Sequence, residues 1–403
     1  MKNYENINTK KTATFCNILV FIIFFGAGFL SYAANADLHP AVVFFKMFFY
    51  ILLALFVSII IHESGHLVTG LITGYKFVSF RILNILIYRK KNKVKIKLGK
   101  GVALGQCLLS IKDPQNSEKM SVDFYLAGGS LFNFLTFIIT LPIVLYEWLN
   151  YGNILLFLAI LCLISLYLTF VNYLPLNVNG LYNDGLNIKI ADNEEARLTL
   201  INSLYLNELL VEGLDINEIS DELIDNYGIH PSKSYVNYFP FSSIKTLKLY
   251  YNSEKEEAKK LIRSYLYFRS VLPKVYQNII TILYLLLMLF TEPDKEELLK
   301  YLDDKNRLLL LNNHNPYSYL LKAIYLRNIE NDQPTALKTY NKGLKLVNSI
   351  NEKAERQVIL KMYEEGINLI QTSDNIFKKV EKNENNDDIQ QEDVNEVQPK
   401  YFV

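Results

Sequence analysis

The chain has 403 residues, which is enough for two or three domains, and a formal net charge of only +1. This balance, without any DNA- or RNA-binding signature, argues against a nucleic-acid-binding protein. The three cysteines form no C-x-x-C pair, so we expect packing thiols and no disulfide framework, with Cys16 and Cys162 in apolar runs and Cys107 in a loop. Half of the residues are apolar, and they concentrate in roughly the first 190 positions.

The N-terminus combines a polar, basic stretch at residues 2–11 with an apolar run at about residues 13–30. Small residues up to Ala36 form an A-x-A arrangement, so this segment could be a cleaved signal peptide. We favour an uncleaved first membrane span, because the run is almost long enough to cross a bilayer and further apolar runs follow closely. The basic residues ahead of it predict a cytoplasmic N-terminus.

The second apolar run, residues 42–72, carries the motif H-E-S-G-H at residues 62–66. A run of this length predicts a transmembrane helix, in which Glu and His side chains are costly unless they are paired or metal-bound. His62 and His66 are four residues apart, so both imidazoles leave the same helical face and can bind one metal ion. Glu63 lies beside that face, where it can deprotonate a metal-bound water.

The segment from residue 75 to 105 is basic and contains no acidic side chain. Alternation of Lys with Val, Ile and Leu at residues 94–98 predicts a half-buried strand, and the positive charge predicts a cytoplasmic position. The basic face could contact anionic lipid head groups or could simply be solvated. The segment could also present an edge to an extended substrate strand, or it could only cap the membrane domain.

Two further apolar runs, residues 124–148 and 154–171, complete four predicted spans. The third run begins with Ala-Gly-Gly-Ser at residues 127–130, whose small side chains allow close helix packing. It also carries Asn133, whose amide needs a partner inside the bilayer. The fourth run ends before Pro175, and a polar turn then leads to Asp184.

Asp184 is the candidate third metal ligand, because a catalytic zinc usually has three protein ligands and an open fourth position. The other histidines do not qualify, since His39 is predicted on the outer side of the membrane and His230 and His314 lie in the polar C-terminal region. Asp184 could instead be an N-cap or Asx-turn residue that opens the following helix, and the two roles are compatible.

Beyond residue 187 the sequence predicts soluble helices. Polar turns at residues 252–258, 291–297 and 331–336 each open an amphipathic helix, and their spacing of about 40 residues is typical of helical repeats. Ala336, Tyr340 and Gly343 fit the second helix of a tetratricopeptide unit, so we predict a tetratricopeptide-like domain. The apolar stretch at residues 275–290 is short for a span, and the acidic tail from residue 379 is too polar to fold.

Together these motifs resemble the three signature elements of the site-2 protease family of intramembrane zinc metalloproteases. They are H-E-S-G-H at residues 62–66, Ala-Gly-Gly with Asn133, and Asn-Tyr-Leu-Pro at residues 172–175 followed by Asp184, in the family's order on three consecutive spans. The resemblance covers roughly residues 45–190. It implies Zn²⁺ bound by His62, His66 and Asp184, with Glu63 as the general base. It also implies that Asn133 lies near the active site as an oxyanion or substrate contact.

Two features depart from the family pattern. Gly129 stands where a proline usually follows Ala-Gly, and the turn between Pro175 and Asp184 is longer than usual. No PDZ-like insertion is evident, so substrate selection by such a module is not implied. The turn also contains three asparagines that are either bystanders or weak candidates for a supporting role at the site: Asn177, Asn179 and Asn183.

The sequence therefore predicts an α-helical polytopic membrane protein with four parts. These are a basic segment and first span (1–40), a three-helix metalloprotease core with a small β-rich cytoplasmic insertion (41–190), a cytoplasmic helical-repeat domain (191–378) and an acidic disordered tail (379–403). We expect it in the cell membrane with both termini in the cytoplasm.

The expected activity is that of a zinc endopeptidase acting on membrane-embedded proteins or peptides, with a cytoplasmic protein partner on the repeats and no nucleic acid. One alternative is a non-proteolytic membrane scaffold whose repeats bind that partner. A scaffold without catalytic activity, however, would not need charged groups in hydrocarbon, where they are costly. Another alternative is a metal transporter or sensor, which would need more polar residues on the other spans than the sequence offers.

Overall fold

The computed structural model describes residues 9–34, 38–91, 93–98, 104–112, 120–151, 155–178, 180–228, 235–267, 272–302, 310–350, 352–372 and 375–377. Within them the chain forms fourteen α-helices, a four-stranded antiparallel sheet and a two-stranded ribbon. The mainly α-helical fold with a small β insertion is as predicted. The acidic tail from residue 379, the residues around Ala36 and His230 lie outside the described residues.

Four long apolar helices match the four predicted spans. They are α1 (Lys10–Ala34), α2 (Pro40–Ile72), α3 (Asp123–Tyr151) and α4 (Leu156–Tyr173). Each is long enough and apolar enough to cross a membrane. At the start of α2, Nδ1 of His39 accepts a hydrogen bond from the backbone N–H of Ala41, so this histidine caps a helix.

Helix α2 distributes its side chains in the way expected of a membrane protein. Its large apolar residues point outward, and Phe45 is 68 % exposed, whereas His62 is only 8 % exposed. The residues that α2 buries are mostly small or polar: Ala54, Ser58, His62, Glu63, Gly65, His66, Thr69 and Gly70. In water this pattern would be unfavourable, but within hydrocarbon it packs polar groups against protein and leaves apolar groups facing lipid.

Helices α2 and α3 approach each other closely at Gly65 and Gly128. A Cβ atom on Gly65 would overlap the backbone carbonyl of Gly128. The hydroxyl of Thr69, one turn further along α2, donates a hydrogen bond to the backbone oxygen of Gly65 (2.8 Å). The predicted close packing of small residues is therefore confirmed, and it brings the H-E-S-G-H motif against the start of α3.

The insertion between α2 and α3 is an antiparallel sheet of four strands in the order β3-β2-β1-β4. The strands are β1 (Lys76–Ile82), β2 (Ile85–Lys90), β3 (Lys93–Leu98) and β4 (Gly105–Ser110). The strand predicted at residues 94–98 is confirmed as most of β3. The loop predicted for Cys107 is wrong, because this residue lies in β4, where its thiol packs in the core beneath the sheet. All three cysteines are buried and free.

The remaining elements follow α4 in sequence. They are β5 (Asn177–Val178), β6 (Leu181–Tyr182), α5 (Asp184–Ala191), α6 (Glu194–Glu212), α7 (Asp221–Gly228), α8 (Tyr235–Tyr251), α9 (Lys255–Leu266), α10 (Lys274–Thr291), α11 (Lys295–Tyr301), α12 (Pro316–Asn328), α13 (Gln333–Val347) and α14 (Lys353–Gln371). The chain divides into two compact units, the first comprising Met1–Ile280 with Ile350–Val358 and the second Thr281–Ser349 with Ile359–Val403.

The polar turns predicted to open helices do so at α9, α11 and α13. In the second unit, Ala336, Tyr340 and Gly343 are buried on α13. The hydroxyl of Tyr340 donates to the backbone oxygen of Tyr363 (3.1 Å). The hydroxyl of Tyr363 donates to the backbone oxygen of Pro316 (2.7 Å). These bonds tie α12, α13 and α14 together, while the assignment to the tetratricopeptide class stays a prediction.

The apolar stretch at residues 275–290 forms α10, which is shorter than the four candidate spans. Its residues from Ile282 to Leu289 are at most 2 % exposed, with polar Tyr284 among them bonded through its hydroxyl to Glu297 (2.6 Å). A helix covered by protein on every side is a core helix. This agrees with the interpretation of the stretch as part of the helical region and not as a fifth span.

Candidate metal centre

The two motif histidines lie on the same face of α2, one turn apart, and both are buried. Their Nε2 atoms are 3.1 Å apart, and the two rings meet edge to face with centroids separated by 4.7 Å. The i, i+4 spacing therefore produces the predicted geometry, in which both imidazoles point their outer nitrogens at one position.

Asp184 is the third member of the cluster. Its Oδ2 atom is 3.3 Å from Nε2 of His62 and 3.3 Å from Nε2 of His66, although the carboxylate belongs to the first turn of α5. In a tetrahedral site with bonds of about 2.0–2.2 Å, neighbouring ligand atoms stand about 3.3–3.6 Å apart. The three atoms are thus spaced nearly as one metal ion requires, and they form a group that could hold one.

The structure corrects the alternative role of Asp184. The N-cap of α5 is the preceding residue, Asn183, whose Oδ1 accepts the backbone N–H of Leu186 (2.9 Å). Asp184 is already inside the helix, where its carboxylate is not needed as a cap and can point at the histidines. The capping role predicted for Asp184 therefore belongs to its neighbour.

Asn183 also explains how the long turn after Pro175 delivers Asp184 to the site. Its Nδ2 donates to the backbone oxygens of Val171 (2.6 Å) and Leu174 (2.6 Å), and its Oδ1 accepts the N–H of Leu176 (2.9 Å). Its own N–H donates to the oxygen of Leu176 (3.2 Å). These hydrogen bonds join the two ends of the turn. The extra residues form the short ribbon β5–β6 between those ends, so the added length does not displace Asp184.

Each histidine has a partner on its other ring nitrogen. Nδ1 of His66 lies 2.8 Å from the backbone oxygen of Tyr125, an acceptor that requires the proton on Nδ1. In the neutral ring Nε2 of His66 is then unprotonated and carries the lone pair that a metal needs. Tyr125 was not singled out by the sequence, because a backbone oxygen carries no residue-type signal.

Asn133 supplies the partner for His62. The amide is completely buried, and its Nδ2 lies 3.2 Å from Nδ1 of His62, while its Oδ1 has no hydrogen-bond partner among the described residues. Rotating the amide by a half-turn places Oδ1 against Nδ1. That arrangement pairs Oδ1 with a protonated Nδ1 of His62 and leaves Nε2 unprotonated for a metal, while Nδ2 takes the position without a partner among the described residues. Asn133 is therefore compatible with the metal-binding tautomer of His62 only with its amide rotated.

Gly129 explains the departure from the Ala-Gly-Pro pattern. A Cβ atom at this position would overlap the ring atoms of His62. The imidazole therefore occupies the space in which a side chain of residue 129 would begin, and only glycine leaves it room. The buried hydroxyl of Ser130 and the amide of Asn133 follow on the same helix.

Glu63, the predicted general base, is buried between the metal cluster and strand β4. Its carboxylate lies against Gly105, where a Cβ atom would come within 2.7 Å of Oε1, and it is in hydrogen-bonding reach of the backbone amide of Cys107. Gly105 is a residue that sequence reasoning missed. The close approach of a strand to the Glu63 carboxylate leaves only a single glycine as its signal in the sequence.

The electrostatics of Asp184 favour its charged form. Burial opposes the charge, but the imidazoles of His66 and His62 outweigh it and hold the pKa of this carboxyl below its ordinary value. In contrast, burial raises the pKa of the Cys107 thiol on β4, with the nearby charge of Glu63 adding to the effect. The thiol therefore stays neutral, and among the described residues Asp184 is the acidic member of the group that could hold a metal.

The remaining candidates have other contacts. His39 caps α2, and His314 is exposed with its Nδ1 3.0 Å from the hydroxyl of Tyr319. Asn177 accepts the N–H of Gly180 through its side chain (2.7 Å), and Asn179 falls outside the described residues. Of the two asparagines that the structure describes in this turn, Asn183 alone supports the site through the contacts described above.

The comparisons with known proteins name no relative of this chain: no protein-family model, no curated protein and no solved structure matches it. What the site can do must therefore be inferred from its own geometry and from its sequence motifs.

Proposed function

We propose that this protein is a membrane-embedded zinc endopeptidase of the site-2 protease type. The observation that carries the proposal is the meeting of His62, His66 and Asp184 at metal-ligand spacing, with both histidines on a helix whose length and composition suit a membrane span. Two neutral imidazoles and one carboxylate, with a carboxylate from Glu63 beside them, are the donor set and base of a hydrolytic zinc site.

The proposed mechanism assigns separate tasks to the residues of the site. Zinc, when bound, supplies Lewis acidity that makes a water more acidic and a carbonyl more electrophilic. Glu63 accepts the proton of the attacking water and returns it to the leaving amine. Asn133 holds His62 in its ligand tautomer, and the backbone oxygen of Tyr125 does the same for His66. Asn133 is in addition our candidate for an oxyanion or substrate contact.

Strand β4 lies at the edge of the sheet, and its first residue supports the proposed presentation of an extended substrate. The N–H of Leu83 donates to the oxygen of Leu104 (2.7 Å), so the backbone of residue 104 points toward β1 and that of the next residue, Gly105, points toward the outer edge. Further along this edge the oxygen of Cys107 already accepts the hydroxyl of Tyr125 (2.9 Å), so the proposed pairing is confined to the beginning of β4. That edge runs past the carboxylate of Glu63. A helical substrate hides its peptide bonds, and pairing with a strand edge would hold it extended beside the base.

The remaining parts of the proposal concern placement. By the positive-inside rule the basic sheet, Asp184 and both termini lie in the cytoplasm, with four spans in the cell membrane. The helical repeats would then bind a cytoplasmic protein partner. These assignments are supported by the charge of residues 76–100 and by the lengths of the four apolar helices.

The test compares membrane fractions from cells that carry the intact chain or the Glu63→Gln variant. We expect at least one membrane protein to accumulate uncleaved with the variant and to be cut by the purified intact chain in vesicles, in a reaction that a zinc chelator stops. Zinc-bound protein with no difference between the two membrane fractions would favour a metal sensor. A chain that binds no zinc would favour the scaffold.

A further inference from the structure

Strands β2 and β3 form a hairpin with one apolar face. In its register, Ile85 is opposite Leu98, Ile87 is opposite Ile96, and Arg89 is opposite Val94. Opposed residues share a face of an antiparallel pair, and alternate residues along a strand do so too. Five of these six side chains are therefore apolar and on one side, with Arg89 alone at the far end.

This apolar face is not covered by the described part of the chain. On β3, Val94 is 64 % exposed, Ile96 72 % and Leu98 76 %, and on β2 Ile85 is 48 % exposed. Single exposed apolar residues need no explanation, but a contiguous row on an edge strand marks an interaction surface. The face therefore requires a partner that is itself apolar.

The opposite face of β3 is cationic. Lys93, Lys95 and Lys97 alternate with the apolar residues, and the segment from residue 75 to 105 contains no acidic side chain. On β2 this second face continues with Leu86, Tyr88 and Lys90. The hairpin thus has one wholly apolar row and its lysines on the other side, the arrangement of an amphipathic element that lies in a membrane interface.

The position of the hairpin in the chain indicates what covers it. The sheet begins at Lys76, directly after α2, whose last turn exposes Leu71 (47 %) and Ile72 (71 %). The outward-facing apolar surface of this candidate span therefore continues to the point where the sheet starts. A bilayer that surrounds α2 lies close to the sheet, since only three residues separate the two elements.

We propose that the β2–β3 hairpin docks on the surface of an anionic bilayer. Its apolar face, with Ile85, Val94, Ile96 and Leu98, enters the boundary between head groups and acyl chains, and Lys93, Lys95 and Lys97 lie at the level of the lipid phosphates. The inference needs the membrane spans but not the peptidase activity, so it can fail or hold independently of the proposed function.

The test measures the depth of two neighbouring positions on β3. The full-length variants Ile96→Cys and Lys95→Cys each receive an environment-sensitive fluorophore and are reconstituted into vesicles of phosphatidylcholine with phosphatidylglycerol. The unsubstituted chain, whose three cysteines are buried, measures background labelling. We expect a quencher attached to the lipid acyl chains to act about twofold or more strongly at position 96 than at position 95, and aqueous iodide to act in the opposite order.

The anionic lipid is tested by repeating the measurement in vesicles of phosphatidylcholine alone, where we expect weaker acyl-chain quenching at position 96. Equal quenching in the two kinds of vesicle would contradict the role of the lysines. Equal acyl-chain quenching at positions 95 and 96 would overturn the docking of the apolar face. A probe at position 96 that is shielded from both quenchers would also overturn it, because that result assigns the face to a protein partner.

Discussion

The Nε2 atom of His66 lies 3.3 Å from the Oδ2 atom of Asp184, which belongs to a different helix. His66 is on α2 and Asp184 opens α5, with the sheet and two candidate spans between them in the chain. A carboxylate and two imidazoles that converge at this distance form either an ion pair with protonated rings or a site for one metal ion. This relationship is the basis of the first prediction.

We expect the purified protein to hold one zinc ion per chain. His62→Ala and His66→Ala should abolish binding, and Asp184→Ala should remove most of it, because each substitution deletes one of three ligands. The measurement is metal analysis of detergent-solubilised protein. Asp192→Ala, an exposed carboxylate at the other end of α5, is the matched control and should keep full occupancy. Full occupancy in Asp184→Ala would move the third ligand elsewhere.

Glu63→Gln should fold, bind zinc and lose activity. The amide keeps the shape of the side chain but cannot accept the proton of water, so we expect a rate lower by about 10²–10⁴-fold. The assay follows cleavage of a membrane substrate by variant and parent chains in vesicles, with zinc content measured on the same samples. Cleavage at the parent rate by zinc-loaded Glu63→Gln would exclude Glu63 as the general base.

Gly129→Ala should weaken metal binding although residue 129 is no ligand. The added methyl group overlaps the ring of His62 and must push it out of position, and we expect an affinity lower by about 10- to 100-fold. Competition with a metal-binding dye measures this change.

The matched control is Gly28→Ala on α1, where an added Cβ meets no atom within 4 Å. This variant should bind zinc as the parent chain does. Unchanged affinity in Gly129→Ala would mean that His62 does not occupy the observed position when the metal is bound.

Asn183→Ala should reduce both stability and metal affinity. It removes the cap of α5 and the bonds to the end of α4, so we expect a free energy of unfolding lower by about 1–2 kcal/mol or more, together with weaker zinc binding. Asn193→Ala is the control, since Asn193 caps α6 through the N–H of Ala196 (3.0 Å) without contacting the site. Equal loss of zinc affinity in the two variants would reduce Asn183 to an ordinary cap.

The topology prediction uses reporters that are active only in the cytoplasm, fused after residues 115, 240 and 403. All three should be active, because the positive-inside rule places the basic sheet and everything after Asp184 in the cytoplasm. An inactive reporter after residue 403, with active reporters after 115 and 240, would make α10 a membrane span in spite of its burial. Activity lost at 115 would put the basic sheet on the outer side and reverse the whole arrangement.

Local patterns in the sequence determined much of this protein. The four apolar runs predicted four helices within a few residues of their observed ends, because length and apolar composition are properties of contiguous residues. The pairing of His62 with His66 was equally readable, since two residues four apart on a helix must share a face. The alternation in β3 and the polar turns before α9, α11 and α13 belong to the same class of short-range signal.

Only the tertiary structure decided how distant segments meet. The sequence could name Asp184 by elimination, but the contact itself depends on Asn183, which closes the long turn through backbone groups that have no residue-type signature. The roles of Gly129 and Gly105 likewise depend on which side chain approaches from another element, His62 in one case and Glu63 in the other. The reason is physical: helix and strand periodicity act over a few residues, whereas a metal site is built from contacts between elements whose approach is set by packing.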